Sequence, residues 1–197
     1  MSINLIRGHL TESIAVKQLI LADGHLLQEI HSAADVLVNA LKRGGKVMFA
    51  GNGGSAADAQ HLAGELVSRF YYDRPALAGL ALTTDTSVLT AIGNDYGYEQ
   101  TFVRQVRGLG RSEDVFVGLS TSGNSPNILA AMTAAKEIGI KTIGLTGASG
   151  GKLIQSVDLC LKMPSDSTPR IQECHIAVGH ILCALVEAKC FPRPVES

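Results

Sequence analysis

Apolar residues recur at three- and four-residue steps through positions 1–43, at Leu5, Leu10, Ile14 and Leu19, then at Leu26, Leu27, Ile30, Ala34, Leu37 and Leu41. That spacing predicts two amphipathic helices. They are parted at Asp23-Gly24, and Gly44-Gly45 closes the second, as glycine does at a helix C-terminus. From Lys46 the pattern changes to short apolar runs at 46–50, 77–82, 114–119, 141–145 and 157–163, each read as a strand. Helical spacing returns between them, over 55–70, 85–92, 99–109 and from about 126 to 138, with a short helix after the Gly-rich 147–151. A long last helix is expected over 168–189, with Pro169 in its first turn. Continuous apolar strands alternating with helices predict an α/β fold, a parallel sheet covered on both faces. Residues 1–43 then form a helical extension, read as an oligomerisation element, on an α/β domain of 44–197.

Composition narrows the function. At 197 residues, 46% apolar and 18% charged, the chain suits one globular core. A net charge of −1 supplies no field to draw nucleic acid or an anionic membrane. Aromatics at 5%, with no Trp, argue against a base- or sugar-stacking platform. Cys160, Cys174, Cys183 and Cys190 show no CxxC or metal-type spacing and read as buried, reduced thiols. The first residues lack the apolar core of a secretory signal, and no run approaches the ~20 apolar residues of a bilayer span, so a cytoplasmic protein is expected.

Two loops carry the candidate chemistry. Gly51-Asn52-Gly53-Gly54-Ser55 follows the first strand and opens a helix, where backbone N–H groups can meet an anion. It also fits the loose dinucleotide pattern GxGxxA, but the acidic residue expected about 20 positions on is missing; Asp85 lies further on and starts a helix. A tight turn or a small phosphorylated ligand are the other readings. Ser120-Thr121-Ser122-Gly123-Asn124-Ser125 sets four hydroxyls at a strand-to-helix turn. One hydroxyl would explain a helix cap; four exceed that need and suit a phosphomonoester held by hydroxyls, N–H groups and the helix dipole. No GK[ST] is present for a triphosphate with its magnesium.

Acid–base groups sit on two helices. His61 and Glu65, four residues apart, share one face and can act as an acid/base pair or share a metal, or simply form a surface pair. On the last helix, Gln172 and His180 are about 80° apart in projection and can address one side, while His175 is offset and reads as structural. Nothing in the spacing brings this helix to His61 and Glu65.

The strings GNGGSAADAQHLAGE, TAIGNDYG, STSGNSPN, GLTGASGG and RIQECHIAVGH, in order over nearly the whole chain, resemble the sugar isomerase (SIS) domain family, and within it the phosphoheptose isomerases. The resemblance implies a flavodoxin-like three-layer sandwich with a five-stranded parallel sheet plus N-terminal helices, and a homotetramer assembled partly through those helices. It implies conversion of D-sedoheptulose 7-phosphate to D-glycero-D-manno-heptose 7-phosphate, the first step toward activated heptose for bacterial lipopolysaccharide and related surface polysaccharide. Ser120, Thr121, Ser122 and Ser125, with Ser55, correspond to the phosphate cradle. Asn52, Gly53, Gly54, Asn94, Asp95 and Gln172 correspond to further substrate contacts. Glu65, also a substrate contact, and His180 match the acid/base pair. His61, Glu65, Gln172 and His180 match the zinc ligands of some members, one ion per subunit. Pro169 departs from members that carry Asp there. Sugar-phosphate sensors and protein-binding relatives share the scaffold but lack parts of this set, which makes a binding module the rival reading.

Overall fold

The computed structural model describes residues 2–193. Helices α1 (Ser2–Ala22) and α2 (Gly24–Lys42) meet at Asp23, whose carboxylate accepts the His25 and Leu26 N–H groups and caps α2. Then follow β1 (Val47–Gly51), α3 (Gly54–Val67), β2 (Gly79–Ala81), α4 (Thr86–Tyr96), a 3-10 turn (Tyr98–Gln100), α5 (Thr101–Leu109), β3 (Val115–Leu119), α6 (Pro126–Ile138), β4 (Lys141–Thr146), β5 (Leu159–Lys162) and α7 (Thr168–Cys190). The five strands are all parallel, in the order β2-β1-β3-β4-β5. The expected five-stranded α/β architecture is therefore the one observed.

Strand alternation splits the core in two. Val47, Phe49, Val115, Val117, Leu119, Ile143 and Leu145 face a layer of α1, α2, α3 and α7. Met48, Ala50 and Phe116 face the other way, against α5 and α6, with α4 at the margin. The result is three layers. α2 buries Leu26, Ile30, Ala33, Ala34, Leu37 and Val38 in the first core, so it is part of the layer over the sheet. α1 buries only Val16 and Ile20. Within this layer α3 and α7 come close because Gly179 leaves room for Leu62; a Cβ there would lie 2.6 Å from a Leu62 methyl.

α7 departs from one expectation. It is long and apolar enough to meet the length and composition test for a bilayer span, at a mean hydropathy of 1.3. Half of that stretch is buried and Arg170, His175 and Glu187 lie inside the fold, which fits a core helix. The cysteines are free: Cys174 and Cys183 are buried in α7, and Cys160 and Cys190 are partly exposed. Burial pushes the Cys183 thiol up to about 12 and Cys160 to about 11, which keeps them protonated and unreactive.

His175 is fully buried, with neither ring nitrogen hydrogen-bonded among the described residues. Burial pushes its pKa down to about 4, while the nearby Thr146 main chain pulls weakly the other way. Between pH 4 and 6.5 the unfolded chain binds a proton that the folded chain refuses, so stability rises with pH across that window. The contribution is complete above pH 6.5 and lost as the pH falls toward 4, about 3 kcal/mol in all. Urea unfolding of His175→Gln at pH 7 and pH 4.5 should show a clearly flatter pH dependence than the parent chain. An unchanged slope would remove His175 as its source.

Candidate active site

The register aligns Gly51 with Leu119 and Leu119 with Leu145, so the loops after β1, β3 and β4 leave the sheet together at the carboxyl ends of its strands. The chain runs from β1 to β2 on one side and to β3 on the other, which makes the crevice between the first two loops the topological switch point, where open α/β sheets bind ligands.

The loop after β1 is tight: Ser55 N–H donates to the Asn52 carbonyl at 3.0 Å, and Ser55 is buried under the start of α3. Asn52 exchanges two amide hydrogen bonds, both 2.9 Å, with Asn127 at the head of α6. Its Oδ1 also accepts from the Tyr98 hydroxyl at 3.0 Å. In the loop after β3, the Ser120 and Ser125 hydroxyls bond one another at 2.9 Å. Gly123, at φ +66, packs on the loop after β4 so closely that a Cβ would strike the Gly150 carbonyl. Gly147 N–H donates to Thr121 O, and Leu153 N–H to Gly123 O, which zips the two loops together. They enclose a cavity of about 280 Å³ lined by Thr121, Ser122, Asn124, Gly147, Ser149, Asp166 and Thr168. A larger cleft of about 520 Å³ lies at the opposite edge, beside Arg43, Lys46 and Arg111, and holds none of the expected groups.

Beside this cavity, α3 and α7 place their polar residues face to face. Gln172 lies against the head of α3, its Nε2 2.6 Å from where a Gly54 Cβ would stand. About two helix turns along, His61 Nε2 lies 2.9 Å from His180 Nε2 and 3.2 Å from Glu65 Oε1. The three donor atoms lie within 4.8 Å of one another, and donors on a tetrahedral ion with 2.0–2.1 Å bonds would be about 3.3 Å apart. Two imidazoles and a carboxylate at these separations suit a borderline-soft cation such as zinc, and equally a shared proton. The Phe70 ring closes over His180, with centroids 5.6 Å apart.

The fold thus joins His61, Glu65 and His180, which spacing alone leaves apart, and sets Gln172 against Gly54 at the head of α3. Asn94 and Asp95 lie on the last turn of α4, where a loop was expected; they are exposed, and Asn94 Nδ2 donates to Asp95 Oδ1 at 2.8 Å. Among the described residues they bond no other site group, and Tyr98 is the member of that segment that reaches Asn52.

Several groups escape a sequence reading. Asp58 is one: it forms a stripe with His61 and Glu65 at steps of three and four, a signal the sequence does contain. Its Oδ2 is buried without a partner; burial pushes its carboxyl up, and the charges of His61 and His180 pull it down less strongly. Asn127, Tyr98, Arg74 and Glu187 carry no local signal. Arg74 donates to the carbonyls of Glu65, Leu66 and Ser68 at the end of α3, and its Nε meets Glu187 of α7 at 3.2 Å.

Residues 15–147 match the SIS domain family. The chain belongs to that family. It is 59% identical over 186 residues to the phosphoheptose isomerase of Aneurinibacillus thermoaerophilus, covering 94% of each chain. It is 56% identical to that of Burkholderia pseudomallei, covering 94% of this chain and 96% of the relative. Among solved structures, the phosphoheptose isomerase of Neisseria gonorrhoeae superposes with a TM-score of 0.90 at 44% identity, covering 95% of this chain and all of the other. The SIS chain described here is therefore a phosphoheptose isomerase relative along nearly its whole length, and the cavity and the α3–α7 cluster lie in that shared region.

Proposed function

We propose that the chain is an isomerase that converts D-sedoheptulose 7-phosphate to D-glycero-D-manno-heptose 7-phosphate, in the cytoplasm, as the first step of activated heptose synthesis. The convergence of His61, Glu65 and His180 further along α7 from where its first turn lines a hydroxyl-bearing cavity supports the reading. A sensor or adaptor built on this fold has no use for that acid–base set.

Ser120, Thr121, Ser122 and Ser125, with Ser55 and the α6 N-terminus, hold the phosphate. Asn52, Gly53, Gly54, Asn94, Asp95 and Gln172 hold the sugar. Ketose–aldose exchange moves one proton between C1 and C2 through an enediol. Glu65 takes that proton from one carbon and returns it to the other, and His180 carries a proton between O1 and O2. One zinc ion per subunit, held by His61, Glu65, Gln172 and His180, would supply Lewis-acid stabilisation of the developing oxyanion. Glu65 remains the proton carrier in this scheme. Measuring aldose formation from sedoheptulose 7-phosphate tests the reading directly; tight binding without turnover would favour the binding module. Metal analysis of protein prepared without chelators tests the ion.

Assembly follows from α1. Leu5, Leu10, Ile14, Leu19 and Leu21 are each more than half exposed, on a helix fastened to α7 through Arg170, which pairs with Glu12 and donates to the His9 carbonyl. Residues 1–43 would serve a homotetramer and 44–197 the catalytic SIS domain. Sedimentation equilibrium should give four times the 20.7 kDa chain mass, and Leu10→Glu with Ile14→Glu should lower it. A monomeric parent chain would remove the proposal.

A further inference from the structure

The structure tells the donor and acceptor ends of the Asn52 amide apart. The Ile128 N–H donates to Asn127 Oδ1 at 3.0 Å, which fixes Asn127's oxygen toward its own backbone and its Nδ2 away. Asn127 is buried, at 2% exposure, so it has no solvent to turn to. With that orientation set, Asn127 Nδ2 donates to Asn52 Oδ1 and Asn52 Nδ2 donates to Asn127 Oδ1. Tyr98 fills the remaining lone pair of Asn52 Oδ1. An amide oxygen accepts two bonds, and an amide nitrogen donates two. Among the described residues, the Asn52 side-chain amide is left with no acceptor capacity and one free N–H.

We propose that Asn127, assisted by Tyr98, is a positioning residue that commits Asn52 to donate its free N–H to an acceptor oxygen of the sugar. The proposal rests on the reading of Asn52 as a sugar contact. A sugar hydroxyl can meet a donor or an acceptor; a carbonyl or enediolate oxygen can meet only a donor. The network spans the switch point, tying the loop after β1 to the head of the helix behind the phosphate loop, so it sets Asn52 relative to a ligand anchored by its phosphate. A donor held in place before the reaction loses little to reorganisation when charge develops on that oxygen.

Asn127→Asp tests this with minimal change of shape. The carboxylate still accepts from Ile128 and Asn52 but cannot donate to Asn52 Oδ1, and it repels that oxygen. kcat/KM for sedoheptulose 7-phosphate should fall by about 10- to 100-fold, while the Kd of inorganic phosphate, read by calorimetry, should stay within about twofold. The deciding measurement is a double-mutant cycle. In an Asn52→Ala background, Asn127→Asp should have almost no further effect, because its route to the substrate is gone. The same factor of loss in both backgrounds, or a matching loss of phosphate affinity, would show that Asn127 only supports α6 and would overturn the proposal. Wild-type rates for Asn127→Asp would overturn it too. Should Asn127→Asp fail to fold, Tyr98→Phe enters the same cycle, with a smaller expected loss, and must likewise be silent beside Asn52→Ala. The cycle can also be read on calorimetric affinity for sedoheptulose 7-phosphate. An inactive wild type would then count against the proposed reaction, and the coupling between Asn52 and Asn127 would still decide this inference.

Discussion

Glu65→Gln should lower turnover of sedoheptulose 7-phosphate by about 10²- to 10⁴-fold, the usual worth of a positioned general base. The substitution keeps the size and hydrogen-bonding reach of the side chain and removes only its ability to take a proton. Glu65 sits on α3 within 3.2 Å of His61, and its own backbone carbonyl is pinned by Arg74, so the variant has little reason to repack. The proposed phosphate cradle lies on a different loop, so KM should change far less than kcat. His180→Gln should bring a loss of similar order. The two together should be far less than multiplicative, because proton transfer at carbon and at oxygen serves one enediol and half of the pair achieves little. Metal content should be recorded for each variant, since Gln is a poorer ligand than Glu. A variant that is slow yet retains the parent metal content places the loss on the proton. Equal turnover in the parent and both variants would remove these roles. The same logic predicts that disrupting Thr121 and Ser122 lowers kcat as well as affinity, because binding energy at the phosphate positions the reacting carbons.

How much of this is legible in the sequence depends on how local the determinant is. The strand–loop–helix order follows from apolar runs and glycine punctuation, and both ligand loops are where those signals put them. The errors lie at helix ends set by distant groups. Spacing alone carries α3 to residue 70, yet it stops at Val67, because the Arg74 guanidinium takes the carbonyls that further turns would have used. Gly93-Asn94-Asp95 reads as a loop, yet α4 runs through it to Tyr96. Tyr96 is held there by the Arg104 guanidinium 4.0 Å above its ring, and Gly97 at φ +86 ends the helix. The resemblance assembles the acid–base cluster before the structure does, since its partners on α3 and α7 are 119 positions apart. Spacing says only which face each helix offers. Gly179, which lets the two helices close on Leu62, passes in the sequence for a weak spot in a helix. Asn127 carries no local signal, and only its tertiary partner reveals a tie to Asn52.

Glu187→Ala should destabilise the fold by about 3–5 kcal/mol, a large share of a typical domain's stability. Glu187 and Arg74 are almost wholly buried, with 1% and 2% of their side chains exposed. Burial raises the Glu187 carboxyl, but the N–H groups of Phe70 at 2.8 Å and Tyr71 at 2.7 Å, together with Arg74, outweigh it and hold it below the usual range. Removing the carboxylate leaves the buried Arg74 guanidinium without its counter-charge and the Phe70 and Tyr71 N–H groups without their acceptor. A simple buried ion pair can often be exchanged for apolar residues with no loss. This one should not allow it. Arg74→Met with Glu187→Leu orphans the Phe70 and Tyr71 N–H groups and the carbonyls of Glu65 and Ser68 as well, while Leu66 keeps the Leu77 N–H. The double variant should therefore stay well below the parent chain in urea unfolding, while Glu187→Gln, which keeps an acceptor and the shape, should lie between them. Full recovery in the double variant would mean that the pair's charge alone mattered. The consequence reaches the site, since the segment this knot holds carries Phe70 over His180 and continues from the helix that bears His61 and Glu65. Glu187→Gln, if folded, should thus show a reduced kcat with phosphate affinity intact.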